Sequence, residues 1–567
     1  MNVAAKETTM ENSLEIKGSA SGTKIVPPGG PVANPPAVFT DNLRDFVAKL
    51  KKAGELVELN QPVDVRHIAT LVDQSDKALL FNNPIGYKMP VLSGITRSMK
   101  RAFMSMGCNS YREIETMLTR GVANPITPSR VPISATEEVV MTGDEVNLFD
   151  LPVPLFSVHD GGPMITAGIV MARDHEYGIV NTGCYRFMVK EKNLTGIDIV
   201  TPNNLRHYVQ RAYEAGRPLP ISISIGTHPI EMVAANFRAP IDVEELSLAG
   251  GIRGAALPLG QCRTIDLPYV ADCEIVLEGE ILPIGWTQPE GRFGEFTYLM
   301  GGLHWNPNVR ITAVMMRHDA MYYALHMPYE YTYLGAAALH QPVRNAMTNT
   351  GLQVKDINIT VGGAAYWHAV VSIKKQAGEG KTAILAALSV GDLKHVVIVD
   401  EEIDVYNGQE VEWAIATRVQ ADRDVIIVPG VRAKPLDPSL HITPGVVPTG
   451  AKMGIDATIG EGIPKERYER VAYAYADTAK IADYMGGKAD PVPTSDAQAV
   501  DKVGAAILSM IENEPMYYTD INKALPEYDF ATIAAAFGKL HADGKLWKDP
   551  VGRICVKGSK FDAKPRV

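Results

Sequence analysis

Met164-Ile165-Thr166-Ala167-Gly168-Ile169-Val170-Met171 is an uncharged run of β-branched and apolar residues, preceded by Pro163 and followed closely by Arg173-Asp174. It is far too short to cross a bilayer and reads as a buried strand. Similar short runs recur around it, at 138–141, 179–181, 221–225, 273–278 and 309–316, with glycine and proline between them. Repeated short strands of this kind predict a barrel or sandwich over about 131–340. One helix is predicted to interrupt them, from 203 to 214, with Leu205, Tyr208, Val209 and Ala212 on one face and Gly216 just past its end.

Outward from this region the pattern changes in both directions. Toward the N-terminus, Thr40-Asp41-Asn42 can cap a helix in which Leu43, Phe46, Val47 and Leu50 share a face. Short strands follow at 56–59, 78–81 and 91–92, so 38–130 reads as an N-terminal α/β domain. Toward the C-terminus, strand-like runs at 365–372, 395–400 and 425–428 are separated by helices at 382–388 and 411–418. Because 395–400 and 425–428 carry almost no polar residue, the simplest architecture for 341–490 is an α/β domain whose sheet is covered on both faces. Residues 1–37 are rich in Gly, Pro, Ser and Ala and read as a flexible arm. After Pro491-Val492-Pro493, three helices and a hairpin over 496–560 have the outline of a winged helix. Its third helix carries only Lys539 and His541 as basic residues, which favours a protein contact or a lid over DNA reading.

Composition excludes several function classes. The 567 residues carry 55 Lys and Arg against 65 Asp and Glu, a net charge of −10, with no basic block. Nucleic acid is therefore not an expected partner. No apolar run reaches the roughly 20 residues of a membrane span, and no basic segment followed by an apolar core marks a secretory signal. Five scattered cysteines, an odd number without a CxxC pair, fit a reducing, cytoplasmic setting.

The chemistry concentrates in two stretches. Pro289-Glu290-Gly291-Arg292-Phe293-Gly294-Glu295 places two carboxylates five residues apart. Its two glycines argue against a regular helix and predict a loop with positive φ that turns both carboxylates inward. Crowded, buried carboxylates repel, and one then holds a proton near neutrality, as a general acid must. Asn181-Thr182-Gly183-Cys184-Tyr185-Arg186 supplies an amide and a guanidinium. Taken alone, Cys184 reads as a small packing residue rather than a nucleophile, because no base partner is identifiable.

Asn181 with Arg186, the Glu245…Ala249-Gly250-Gly251-Ile252-Arg253-Gly254 stretch and Glu290-Gly-Arg-Phe-Gly-Glu295 together resemble the UbiD family of reversible decarboxylases. His159-Asp160-Gly161-Gly162, Lys434-Pro435-Leu436-Asp437 and Lys452-Met453-Gly454-Ile455-Asp456-Ala457-Thr458 add to the resemblance, which covers about 40–490. It implies a fold of an N-terminal α/β domain, a central flavin-binding split β-barrel and a C-terminal α/β domain. It implies prenylated FMN as cofactor, supplied by a flavin prenyltransferase. A divalent metal (Mn²⁺, Mg²⁺ or Fe²⁺) and K⁺ would hold the cofactor phosphate. Arg186, Glu290 and Glu295 match the family's catalytic set, with Glu295 delivering the proton and Phe293 and Phe296 forming an apolar wall. Asn181, Asn204 and Glu245 match the metal ligands. Asn204 stands where the family usually has histidine, with His207 one turn later, and a plain helix-start role is the rival reading. Thr182, Cys184, Tyr185, Phe237 and Lys452 are placed against the cofactor, and 325–334, with His326, Met327, Tyr331 and Leu334, near the substrate. The implied activity is non-oxidative decarboxylation of an aromatic or α,β-unsaturated acid, free or as an aryl-CoA thioester, in a homodimer or homohexamer. The alternatives are carboxylation in the physiological direction, or a flavin-binding scaffold with a C-terminal interaction module.

Overall fold

A computed structural model describes residues 40–564 apart from 177, 200–202, 238–243, 392, 442, 444–445, 486–492 and 495. The expected arm at 1–37 and most of the Pro491-Val492-Pro493 break lie outside these residues. The chain divides after Glu461 into two compact units.

The strand Met164–Arg173 is the spine of the first unit. It pairs antiparallel with Val180–Glu191 on one side and Leu219–Ile225 on the other. The ring continues through Leu194–Gly196 and Asn308–Met316 on one flank and Ile275–Ile281 on the other. The last two pair with each other, closing a six-stranded antiparallel barrel. The choice between barrel and sandwich thus falls to the barrel, which leaves no open edge among these six. Ile165, Val170 and Ala172 of the spine join one apolar cluster, whereas Ala167, Ile169 and Met171 join another. Both faces of the strand are covered, which is why its sequence is continuously apolar rather than alternating.

The N-terminal helix Leu43–Lys52 begins at Asn42, whose side chain and that of Asp45 form a capping box, and it buries Leu43, Phe46 and Leu50. It lies beside a four-stranded sheet of Leu56–Leu59, Ala78–Phe81, Val91–Ser93 and Tyr322–Ala324, the last arriving from beyond the barrel. The C-terminal sheet of this unit runs Val354–Ile359, His368–Ile373, His395–Asp400, Thr449–Ala457, Val425–Arg432. His395–Asp400 is central and buried from Val396 to Val399, as its sequence requires. Val425–Arg432 departs from the expectation of double cover: it is an edge strand, with Ile427 65% exposed. The strand expected from 365 begins only at His368, because Ala364 and Ala365 take left-handed φ of 56° and 59°.

Among the described residues the middle region also holds helices that the sequence did not lead one to expect, Pro229–Ala235 and Glu245–Arg253. Every residue of the first is buried, and the second contains Gly250-Gly251 on its covered face. Neither presents the polar face that makes a helix legible in sequence. The expected helix appears as Asn204–Glu214, capped by the side chain of Asn203.

The second unit, taken by itself, contains helices Val500–Ile511, Tyr518–Lys523 and Phe530–Ala542 and a hairpin of Leu546–Lys548 with Ile554–Val556. Val503, Ile507, Ile511, Ile533, Phe537 and Leu540 form its core. No helix among the described residues is long and apolar enough to cross a membrane.

Candidate active site

Arg186 sits within the barrel strand Val180–Glu191, so its backbone is fixed by ladder hydrogen bonds rather than by a loop. Its side chain is 11% exposed and meets three carboxylates. Nη1 donates to Glu295 Oε1 at 2.5 Å, Nη2 pairs with Asp198 Oδ2 at 2.9 Å, and Nε lies 3.8 Å from Glu290 Oε1. His304 completes the cluster, its Nδ1 3.1 Å from Asp198 Oδ1 and 3.3 Å from Arg186 Nη2. The Phe293 ring lies 5.2 Å from the guanidinium carbon. Phe293 therefore faces Arg186, while Phe296 packs edge-on against Tyr366 and Trp367.

The two glutamates reach Arg186 by different local structures. Glu290 ends a short strand, Gln288–Glu290, paired with His304–Asn306, which also delivers His304. Glu295 follows in the connecting loop, held by its N–H to the Leu299 carbonyl at 2.9 Å. The positive φ expected at the glycines is not found; Tyr298 takes it instead, at 63°. Gly291 has another reason to be glycine. The 159–162 loop crosses it so closely that a Cβ on either Gly161 or Gly291 would stand 2.4 Å from the Cα of the other. The Gly161 N–H donates to the Arg292 carbonyl at 2.9 Å across this crossing.

Burial and charge divide the carboxylates. Glu290 is fully buried, and among the described residues neither of its oxygens has a partner within hydrogen-bonding geometry. Burial raises its pKa, and the pull of Arg186 only partly offsets this. Burial also acts on Asp198, but Arg186 and His304 outweigh it and hold this carboxyl below its ordinary range. The hydrogen bond to Asp198 raises the pKa of His304 above its usual value. Burial works against the charge of Arg186, and the three carboxylates reverse that effect. The cluster thus pairs a secure cation with one secure anion and one carboxyl biased toward holding a proton.

Arg186 and Glu295 open onto a cavity of about 1180 Å³. Single-ligand pockets commonly span about 300–1,000 Å³, so there is room for a large cofactor and a small acid together. Asn181, Thr182, Cys184, Tyr185, Asn204, Phe237, Glu245 and Lys452 all line it. Glu245 accepts the Thr182 N–H at 3.0 Å, and burial pushes its pKa up to about 7. Asn204 is the first residue of its helix, but Asn203 does the capping, which leaves the Asn204 side chain to the cavity. His207, expected on the same face, is exposed and outside the lining. Lys452 donates to the carbonyls of Leu388 at 2.7 Å and Val390 at 3.0 Å. The Cys184 thiol, pushed up to about 12 by burial, is unsuited to nucleophilic work. Among the described residues no three His, Cys, Asp or Glu side chains converge to hold a metal.

Of the residues expected near the substrate, Met327 and Tyr331 line the cavity. His326 does not; its Nε2 lies 3.0 Å from the Ala69 carbonyl. Leu334 is core. Sequence reading missed Asp198 and His304, which have no motif of their own and come to Arg186 only through strand pairing. It also missed Asn236 and Tyr366, which line the cavity.

The chain matches three family models in order. These are the 3-octaprenyl-4-hydroxybenzoate carboxy-lyase N-terminal domain over 47–120, the Rift-related domain over 129–329 and the C-terminal domain over 332–457. It is 34% identical over 437 residues to the anhydromevalonate phosphate decarboxylase of Methanothermobacter thermautotrophicus, covering 76% of this chain and 99% of that one. It is 30% identical over 453 residues to the phenolic acid decarboxylase of Bacillus subtilis, covering 74% and 92%. The UbiD-class enzyme HmfF from Pelotomaculum thermopropionicum, solved in complex with FMN, superposes with a TM-score of 0.73 at 36% identity, covering 78% of this chain and all of that one. An evolved dimeric form of HmfF in complex with prFMN gives 0.70 at 34%, with the same coverage. Three consecutive domain matches, a closed barrel between two α/β layers and an arginine shared by buried acids lead to one assignment: the chain belongs to the UbiD family of decarboxylases.

Proposed function

We propose that this protein catalyses the reversible, non-oxidative decarboxylation of an aromatic or α,β-unsaturated carboxylic acid with prenylated FMN as cofactor. The observation that carries the reading is the Arg186, Glu290 and Glu295 cluster at the wall of a cavity with room for a flavin. The lining fits that cofactor in its chemistry. Asn181, Asn204 and Glu245 offer oxygen donors, as Mn²⁺, Mg²⁺ or Fe²⁺ beside a phosphate would require. Glu245 is a buried carboxyl, pushed up to about 7 by burial, whose anion a metal cation would stabilise. With a single carboxylate and two amides this is a weak donor set, so metal binding would rest on the phosphate as much as on the protein. Lys452 would face the same phosphate, and K⁺ enters from the family resemblance alone. Prenylated FMN, when bound, supplies the electron sink that an sp² carbon lacks when its carboxylate leaves.

The geometry supports a part for the protein's own residues. Arg186 is already engaged by Glu295 and Asp198, so a substrate carboxylate must share or displace the Glu295 contact. Doing so orients the bond to be broken and releases Glu295 to act. The carbon–carbon bond to the carboxylate breaks, carbon dioxide leaves, and Glu295 delivers the replacing proton to that carbon. Glu290, biased toward its neutral form, limits the negative charge beside the leaving group. The reverse sequence is carboxylation. The test is co-expression with a flavin prenyltransferase, followed by the absorption spectrum and mass of the bound cofactor and carbon dioxide release from a panel of aryl acids. A protein that acquires the cofactor yet releases carbon dioxide from none of them would remove the reading. Family resemblance further supports a homodimer or homohexamer, bodies at 38–130, 131–340 and 341–490, and an accessory module at 496–560. Light scattering and limited proteolysis test these in turn.

A further inference from the structure

One histidine nitrogen serves two residues beside Arg186. Nδ1 of His304 lies 3.1 Å from Asp198 Oδ1 and 3.3 Å from Arg186 Nη2. A guanidinium can only donate and an ionised carboxylate can only accept, whereas a ring nitrogen does one or the other at a given moment. As a bare nitrogen, Nδ1 accepts from Arg186 and sets its lone pair against Asp198. As an N–H, it donates to Asp198 and turns a proton toward the N–H of Arg186. The two contacts exclude each other, and the proton on Nδ1 decides which is made.

The groups around the ring come from separate elements. Arg186 belongs to the barrel strand Val180–Glu191, and Asp198 follows the strand Leu194–Gly196. Glu295 lies in the loop that leads to His304, and Glu290 stands directly opposite His304 in the ladder of Gln288–Glu290 with His304–Asn306. Asp198 and Glu295 favour a charged ring and Arg186 opposes it. Glu290, biased toward its neutral form, adds little. With Asp198 and Glu295 ionised, Arg186 already faces two anions before any substrate carboxylate arrives. A further anion is repelled there unless a second cation joins the cluster. His304 is the group that can become one, because a histidine of ordinary pKa gains its charge near neutrality. Its ring lines the cavity, so a proton can reach it from the side that the substrate enters.

Resting on the decarboxylase reading above, we propose that His304 is a positioning residue for Arg186: when Nδ1 takes a proton from solvent, the ring engages Asp198 instead of Arg186, and the arginine is released to the substrate carboxylate. Carboxylate binding and proton uptake are then linked. The test is calorimetric titration of the full chain, with and without cofactor, with benzoate in buffers of different ionisation enthalpy. Benzoate stays ionised above about pH 6, so the protein alone takes up protons there. On the alkaline side of the His304 titration, each benzoate bound should bring about one proton with it. Its dissociation constant should rise by up to about tenfold per pH unit. His304→Asn should abolish both the uptake and the slope, whereas Glu295→Gln should keep them; His304→Gln serves if His304→Asn does not fold. The imidazole nitrogen resonances of His304, assigned by their loss in the variant, should move to the imidazolium position as benzoate saturates the wild type. A histidine that merely supports the fold would not show this. Proton uptake that persists without His304, an imidazole that keeps its state at saturation, or no benzoate binding at any pH overturns the proposal. Because binding is read without turnover, a protein that shows the linkage but decarboxylates nothing keeps the positioning role and loses the decarboxylase reading. One that decarboxylates aryl acids but binds benzoate without proton uptake does the opposite.

Discussion

Glu295 and His304 show what single side chains contribute around Arg186. Glu295→Gln keeps the volume and the contact to Arg186 but cannot deliver a proton. It should retain the flavin, seen in the absorption spectrum, while turnover falls by roughly 10²–10⁴-fold; near-normal carbon dioxide release would remove the proton-donor role. His304 makes a prediction about pH. Its pKa is raised in the folded state by Asp198, so its stabilising contact is fully present below the unfolded value of about 6.5. That contribution is lost as pH rises through the raised folded value. Asp198, depressed in the fold, keeps its half of the contact until the solution is acid enough to protonate it. The stability gap between the wild type and His304→Asn should therefore be widest at about pH 5–6.5 and close on the alkaline side. Thermal melts across pH measure it, and a gap that widens with rising pH would contradict the pairing.

Among the elements, the crossing of the 159–162 and 289–295 loops is the most constrained. Gly291→Ala forces a Cβ against the Gly161 backbone, which has no flexible end to yield. A loss of about 1–3 kcal/mol, read as a lower melting temperature, is expected. Gly294→Ala is the control: a Cβ there would meet no described atom within 4 Å, and its φ is not positive, so it should stay within about 0.5 kcal/mol of wild type. The sequence announced both glycines in the same way and could not separate them. A close approach of two chain segments 130 residues apart leaves no local trace. The barrel strand Met164–Arg173 was legible because covering both faces demands an apolar residue at every position. The helix Pro229–Ala235 was not, for the same reason, since burial on all sides erases the 3.6-residue period.

At the scale of the whole molecule, Glu330 ties distant parts together. It is fully buried at the start of the helix Tyr329–Thr348 and accepts the N–H groups of Gly94 at 3.0 Å, Thr96 at 2.9 Å and His326 at 2.6 Å, with the Tyr323 hydroxyl at 3.3 Å. It thus joins the N-terminal sheet to the helix that leads into the C-terminal one. Glu330→Ala orphans several buried donors at once and should cost roughly 3–5 kcal/mol. Circular dichroism melts check this, and a loss below about 1 kcal/mol would mean that water replaces the carboxylate. Arg44, at the other end of the N-terminal layer, pairs with Glu274 and Asp319 across a similar span.

By itself the sequence determined the run of short strands, the flanking α/β segments, the first helix with its cap, and a short roster of polar residues that a family resemblance joined into a site. These are local matters, settled by period, capping chemistry and burial. Closure of the barrel, the demotion of Val425–Arg432 to an edge and the placing of Asp198 and His304 beside Arg186 were decided only in three dimensions. Each depends on which segments become neighbours in space, or on which side of a strand is left uncovered, and no local pattern carries that information.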